Sequence, residues 1–374
     1  MSTIRYGLIG AGYLGKALVR ALNRHDDATI TAIFDPLTGD AFAAEFGATV
    51  YADWKELCAA DDVDAVIVAS PNWAHHEQVV EAARLGKAVF CEKPVALSYE
   101  HTVNMVEAAR ASGSLFMVGH VTHFMSGVRR AKELIAEGAI GDIVFCRAVR
   151  NTWEGQRDGS SWKKQQALSG GHLYHHIHEL DLVLSLLGEA STVTMVGGNV
   201  AHRGVGEGSE DDVLAALLEY DGTRFAAIEY GSAFRWTEHY VLIEGTLGAI
   251  RLGMQGDGCE LRTPDRVERF PLHRTPEEEE SRAAFYNRGE RDASALFGTP
   301  DADVPLWMAG ILEEETDYFH ALMLGGEVRE EFRSLTDGSA ALASLATADA
   351  MMLSQREGRK AAVTDITAGT PANV

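Results

Sequence analysis

The stretch "YGLIGAGYLGKALVRAL", residues 6–22, decides the fold of the first part of this chain. A short apolar strand, Tyr6–Ile9, runs into Gly10-x-Gly12-x-x-Gly15, and Leu14, Ala17, Leu18, Ala21 and Leu22 recur at helical spacing. In a strand–turn–helix unit, Gly10 allows the tight turn, Gly12 lets backbone N–H groups approach a pyrophosphate, and Gly15 lets the helix pack close to its strand. A glycine triplet alone is equally an ordinary turn. Here a second strand, "ATITAIFD", ends in Asp35, about 20 residues past the last glycine, where a dinucleotide site places an acid against the ribose 2′-hydroxyl. That carboxylate repels a 2′-phosphate, so NAD is favoured over NADP. Gly10, Gly12, Tyr13, Leu14, Gly15 and Asp35 are the first cofactor-binding candidates.

Further along, "VDAVIVAS" (63–70), a helix from Ala74 to Leu85, "KAVFCEKP" (87–94), a helix from Tyr99 to Ala111 and "LFMVGH" (115–120) continue the alternation. Strands alternating with helices build a parallel sheet covered on both faces, and ligands bind at the carboxyl ends of its strands. That rule selects Ser70 and Asn72 with His75 beyond them, Glu92 and Lys93, and His120. From residue 124 the pattern changes: a helix over Met125–Glu137, strands near 142–150, a histidine-rich helix, then strand-like runs at 192–200, 213–220, 224–231 and 238–244 with "DG" and "EGTLGA" turns. Successive strands joined by turns pair antiparallel. The expected fold is therefore an α/β Rossmann domain over 1–123, followed by an α+β domain over 124–374 with an open, mainly antiparallel sheet. Residues 254–305 read as a solvated loop, with a lid or oligomer contact as the alternative; 316–323 and 337–358 read as helical, the second capped by Asp337 or Ser339.

With 374 residues and 46% hydrophobic content, the chain can bury two cores. A formal charge of −22 argues against nucleic acid, which selects basic faces. Cys58, Cys91, Cys146 and Cys259 show neither disulfide-framework nor CxxC spacing. The start "MSTIRYGLIG" lacks the charged and long apolar regions of a secretory signal, and no apolar run reaches the ~18 residues of a membrane span. The expectation is a soluble cytoplasmic protein.

"SGGHLYHHIHELDLV", residues 169–183, gathers four histidines, Tyr174, Glu179 and Asp181. On one helix, Leu173, Ile177, Leu180, Leu184 and Leu187 form the core stripe; Tyr174, His178 and Asp181 share one flank, and His172, His176 and Glu179 the other. His172 and His176 have the i,i+4 spacing that can hold zinc, but no intervening glutamate or third ligand accompanies them, and no metal is expected. His175 and His172 suit a solvated helix start; His178 does not. Residues 147–166 carry Arg147, Arg150, Arg157, Lys163 and Lys164 with Trp153 and Trp162 interleaved. Such a segment is a basic surface loop or, since arginine forks bind carboxylates and sulfonates and tryptophan faces suit sugar rings, a site for an anionic carbohydrate.

Taken together, "GLIGAGYLG", "DAVIVASPNWAHHE", "CEKPVAL" and "EGAIGDIVFCRA" resemble the Gfo/Idh/MocA family, oxidoreductases similar to glucose-fructose oxidoreductase and inositol dehydrogenase. The resemblance implies a second-domain sheet that closes over the nicotinamide and mediates oligomer contacts, hence a homo-oligomer, dimer or tetramer. It also implies a catalytic set of the E-K-P lysine and an Asp-x-x-x-His pair. Lys93 and His178 match, whereas Tyr174 stands at the aspartate position. His178 would accept an alcohol proton while Lys93 stabilises the developing alkoxide, and Tyr174, its pKa lowered by neighbouring cations, would be a further base. "GHLYHHIH" in turn resembles the Gly-x-Leu-Tyr segment of NAD-dependent α-N-acetylgalactosaminidases, and with the lysine retained is also compatible with NAD-dependent sulfoquinovosidases.

Two functions follow. The first is a sugar dehydrogenase transferring hydride between a ring carbon and NAD. The second is a redox-neutral NAD-dependent glycoside hydrolase for an anionic glycoside such as a sulfoquinovoside, working by oxidation, elimination, hydration and re-reduction. The substrate-binding candidates are His120, Arg150, Trp153, Trp162, Lys163, His175 and Asp181. A non-catalytic NAD sensor would have no need of Lys93 and His178.

Overall fold

The computed structural model describes residues 3–154, 162–203, 208–286 and 304–368. Its first sheet is formed by β1 (Ile4–Ile9), β2 (Ala28–Phe34), β3 (Thr49–Val50), β4 (Ala65–Val68), β5 (Ala88–Glu92) and β6 (Phe116–Gly119), in the order β3-β2-β1-β4-β5-β6. Every pair is parallel. This is the doubly wound dinucleotide order, with the chain reversing direction across the sheet between β1 and β4. The all-buried pattern of β4, β5 and β6 explains their unbroken apolar sequences, since a parallel sheet is covered on both faces. Helices α1 (Tyr13–Leu22), α2 (Gly39–Phe46), α3 (Trp54–Ala59), α4 (His75–Arg84) and α5 (Tyr99–Ser112) supply the cover.

After α6 (Ser126–Ala136), a second sheet holds β7 (Ile143–Trp153), β8 (Thr192–Gly198), β9 (Val213–Glu219), β10 (Phe225–Gly231), β11 (Ala233–Gly245), β12 (Ala249–Gly253), β13 (Cys259–Arg262), β14 (Val267–Phe270) and β15 (Ala361–Ala362). Its order is β14-β13-β12-β11-β7-β10-β9-β8-β15, antiparallel except for the parallel pair β10–β7. One face packs on helices. The other exposes Val144, Val196, Leu217 and Phe225, in step with the alternating burial of β9.

Two expectations are corrected. Residues 254–305 are not one loop: the described part contains β13, β14 and a helix over Pro276–Tyr286, in which Arg282 is buried against Trp307. Local charge suggested a solvated segment; burial of that guanidinium between elements distant in sequence makes it part of the core. The histidine stretch is not one helix either. It forms α7 (Gln166–Ser169), α8 (Gly171–His175) and α9 (His178–Leu187), interrupted at His176, whose ψ of 40° leaves the helical range.

The helix Leu306–Met323 returns to the first domain and lies along α1, with the Tyr6 hydroxyl 2.7 Å from His320 Nδ1. The long helix Ser339–Glu357 packs under β8, α5 and α9. Its start is marked by Asp337, whose carboxylate accepts from Ser339 N at 2.8 Å. No helix of the described residues is long and apolar enough to cross a membrane.

Candidate functional site

The glycine loop is shaped for a ligand. Gly10, with φ +97°, lies so close to the next strand that a Cβ would stand 2.6 Å from Ser70 N, and a Cβ on Gly15 would overlap the Gly10 carbonyl oxygen. At Gly12 a Cβ would meet nothing within 4 Å. Gly12 also begins α1 with no side-chain cap and no acid in the first turn, leaving the helix N-terminus for an anion. These features fit the pyrophosphate of NAD. The Asp35 carboxylate accepts from Ala11 N at 2.9 Å and from Leu37 N and Thr38 N at 2.8 Å. It thereby ties the glycine loop to the end of β2 and keeps acceptor capacity on Oδ2. Tyr13 is buried with its hydroxyl toward Met308, and Leu14 is partly exposed beside the loop.

Ser70, Asn72 and His75 follow β4. Ser70 Oγ donates to Gln78 at 2.6 Å, Asn72 Nδ2 donates to Ser169 O at 2.9 Å, and the His75 nitrogens lie 2.9 and 2.7 Å from Pro94 O and Ser70 O. They brace the strand ends against each other and against α7. Glu92 is buried, accepts from Lys93 N at 3.2 Å, and has its pKa raised by burial.

Lys93 stands at the carboxyl end of β5 and donates from Nζ to the His175 carbonyl at 3.0 Å. Its pKa is lowered, first by burial and then by Arg150 and Lys163, with Glu92 and Glu179 opposing. His175 and His178 sit around it, each with a buried Nδ1 that has no partner. Both are held well below the ordinary histidine pKa, by burial first and then by Lys93 and neighbouring cations. They are neutral imidazoles at neutral pH, able to accept a proton. Arg150 from β7 donates to Glu179 at 3.2 Å, and His239 from β11 lies 2.7 Å from the same carboxylate oxygen. The Trp162 edge lies 6.2 Å from His175 and 5.4 Å from Trp73, ring centre to ring centre. Lys93, Arg150, Trp162, Lys163, His175 and His178 therefore form one cluster. It is rich in cations, within an acidic chain.

Other candidates lie elsewhere. Trp153 is covered on one face by the Arg235 guanidinium at 3.5 Å and approaches His202 on the other side of the sheet end. Asp181, a candidate substrate ligand, is 2% exposed and is engaged by His123 Nε2 at 2.8 Å and Ser344 Oγ at 3.2 Å. His120 is buried at the end of β6, its Nδ1 3.5 Å from Asp181. His172, expected in solvent, is buried 3.9 Å from Glu210. Arg157 lies outside the described residues. Among those residues, the metal-compatible trio is His25, Asp27 and His320, at the seam between α1 and Leu306–Met323; the histidine run is not part of it.

The lowered tyrosine pKa is corrected. Tyr174 is 5% exposed and its hydroxyl donates to Asp349 on the helix Ser339–Glu357. Burial and then the carboxylate push the phenol well above its ordinary value, so it is no base. Asp349 also accepts from Tyr99 N at 2.8 Å, which makes the contact a clasp between α5, α8 and the C-terminal helix. Tyr174→Phe is expected to cost ~1.5–3 kcal/mol, the range for a hydrogen bond to a charged group, in urea unfolding, with turnover within a few-fold of wild type; a collapse of turnover at unchanged stability would return Tyr174 to the chemistry. Asp349 and His239 gave no local signal; Glu179 was visible only as a member of the histidine stretch, and His123 only in that it follows His120 within "GHVTH".

The family models "Oxidoreductase family, NAD-binding Rossmann fold" and "Oxidoreductase family, C-terminal alpha/beta domain" match residues 4–120 and 132–363. A relative from Escherichia coli (strain K12), 2,7-anhydro-N-acetylneuraminate hydratase, is 45% identical over 364 residues, covering 97% of this chain and 98% of its own. One of the same name from Mediterraneibacter gnavus is 45% identical over 367 residues, 98% of each chain. Among solved structures, levoglucosan dehydrogenase in complex with NADH superposes with a TM-score of 0.78 at 23% identity, covering 97% of this chain and 99% of that one, a likeness of fold.

Proposed function

This chain belongs to the Gfo/Idh/MocA oxidoreductase family, and on that premise we propose that it hydrates 2,7-anhydro-N-acetylneuraminate to the open sugar acid by a redox-neutral cycle with NAD. The carrying observation is the likeness to hydratases of that name over nearly the whole of both chains. The site chemistry supports it. The substrate is an internal ketal with a carboxylate on the bridged carbon, C2, and Lys93, Arg150 and Lys163 give the pocket the charge to receive it.

When bound, NAD supplies a hydride acceptor, so that the C4 hydroxyl can be a ketone for part of the cycle and a hydroxyl again at its end. The ketone is placed so that C3–H becomes acidic and the bridging oxygen on C2 can leave; water then adds at C2, and the net change is one water gained. His178 takes the hydroxyl proton on a ring nitrogen and later returns it. The Lys93 ammonium stabilises negative charge on the substrate oxygen. Arg150 holds the carboxylate while remaining anchored by Glu179.

Incubation of the protein with 2,7-anhydro-N-acetylneuraminate and catalytic NAD tests this: NAD-dependent release of N-acetylneuraminate without net NADH is the expected result. Stoichiometric NADH from a free sugar would establish the alternative, a sugar dehydrogenase, for which the juxtaposed Lys93 and His178 also suffice. A pH prediction follows from the charges. Arg150 lowers the pKa of Lys93, so Arg150→Gln raises it, and protonated Lys93 persists to higher pH. The alkaline limb of the rate profile should move upward while KM rises.

A further inference from the structure

The hydration cycle has to handle two protons at once. The hydroxyl proton stays parked for as long as the sugar is a ketone, and during that interval a second proton leaves carbon. His178 is occupied by the first. Tyr174 is tied to Asp349 and excluded. His175 and His176 are pressed toward neutrality by burial and then by surrounding cationic and histidine groups, as His178 is, so neither is set apart from His178 as a stronger base. Buried histidines near the site that do have a carboxylate beside them are His172, His123, His239 and His120; His172 faces Glu210, whose other partner is Lys164, and His123 is turned to the far side of Asp181 by Lys132. His239 bonds to Glu179 but sits on β11 against Arg150 and Arg282. His120 ends β6, where ligands of an open α/β sheet bind, and its charged and titratable neighbours are Asp181, His123, Lys93 and His178.

The carboxylate beside His120 is prepared on its far side. Asp181 accepts from His123 Nε2 at 2.8 Å and Ser344 Oγ at 3.2 Å, and Lys132 Nζ lies 3.3 Å from His123 Nδ1. The ammonium can only donate, so His123 presents Nε2–H to Asp181. Burial works against the Asp181 charge, but His120 and His123 hold its pKa down to about 2. Asp181 stands 3.5 Å from His120 Nδ1 without a hydrogen bond to it. Burial first, then His123 and Lys93, lower the His120 pKa to about 4 while Asp181 opposes them, so His120 is a neutral imidazole whose protonated form has a carboxylate beside it, the order of a histidine base and its acid.

We propose that His120 is the second proton carrier of the reaction, the group that takes the proton from the carbon next to the ketone, and that Asp181, backed by His123 and Lys132, is its positioning residue. The proposal rests on the hydratase reading. In the elimination the C3–H bond breaks and its proton goes to a His120 ring nitrogen; the electron pair forms the C2–C3 double bond, and the C2–O bond breaks. The departing oxygen takes a proton from Lys93 Nζ. Water then adds its hydroxyl to C2 and its proton to Lys93, and His120 returns its proton to C3.

His120→Gln separates the half-reactions. With substrate and one equivalent of NAD, the variant is expected to form enzyme-bound NADH in a burst, seen by nicotinamide absorbance, while N-acetylneuraminate release falls by ~100-fold or more, the scale of a positioned base. Release at the wild-type rate overturns the proposal, as does loss of burst and release together in a variant whose melting curve is unchanged. Asp181→Asn provides the second measurement. Removing the anion lowers the proton affinity of His120, so the acid limb of the release profile should move to lower pH with the NADH burst preserved; an unmoved limb overturns the role of Asp181. If the wild-type protein itself releases no N-acetylneuraminate, the hydratase reading fails instead.

Discussion

Lys93→Met is expected to abolish turnover to the limit of ~100- to 10,000-fold, the contribution of a positioned acid or base, with the fold and NAD affinity retained. The reason is position and charge together. Lys93 closes β5, its Nζ is held by the His175 carbonyl at 3.0 Å, and it is partly exposed toward the site while Glu92 behind it is buried. Burial and the nearby Arg150 and Lys163 lower its pKa, so its proton is more readily transferred than that of a surface lysine. Methionine keeps the chain length and apolar stem and removes only the ammonium. Turnover with 2,7-anhydro-N-acetylneuraminate, alongside NAD binding by calorimetry, checks the result. A variant that retains a tenth of the activity would show that the cation assists binding and little else.

A second large effect is expected at the glycine loop, and two substitutions divide it. Gly12→Ala adds a Cβ that meets nothing within 4 Å, so the free protein should melt unchanged; the added methyl fills the space the backbone offers a pyrophosphate, and NAD affinity should fall on the order of 10- to 100-fold, a loss of about 1.4 to 2.8 kcal/mol. Gly15→Ala places its Cβ against the Gly10 carbonyl. Backbone cannot rotate aside as a side chain can, so α1 must shift from β1, with an expected cost of ~1–3 kcal/mol in the absence of any ligand. Melting with and without NAD distinguishes them. Equal destabilisation of both free proteins would mean that the glycines serve packing alone.

The N-terminal half was legible because its signals are local. A parallel strand buried on both faces must be apolar throughout, and a turn that brings backbone within van der Waals contact must be glycine; both leave marks a few residues long. The places of Lys93 and His178 carried local marks too, one closing a strand and the other lying in the histidine run; their roles are those the proposed function assigns. The helix over 276–286 left no such mark, because its charged residues face partners supplied by other elements, as Arg282 does with Trp307.

The histidine stretch marks the boundary of what sequence determines here. Its composition established that titratable groups gather there, and the strand ends established that they meet a dinucleotide site. Which of them act depended on residues 58 to 175 positions away: Asp349 for Tyr174, His123 for Asp181, His239 for Glu179. Proton affinity in a buried site is set by the nearest charges and by loss of water, and both are properties of three-dimensional packing. The chain's own order thus determined the Rossmann domain and the gathering of titratable groups in the histidine stretch. The tertiary structure decided that Tyr174 is a clasp, that Asp181 stands behind His120, and that Lys93, His175, His178 and Arg150 gather in one cation-rich cluster.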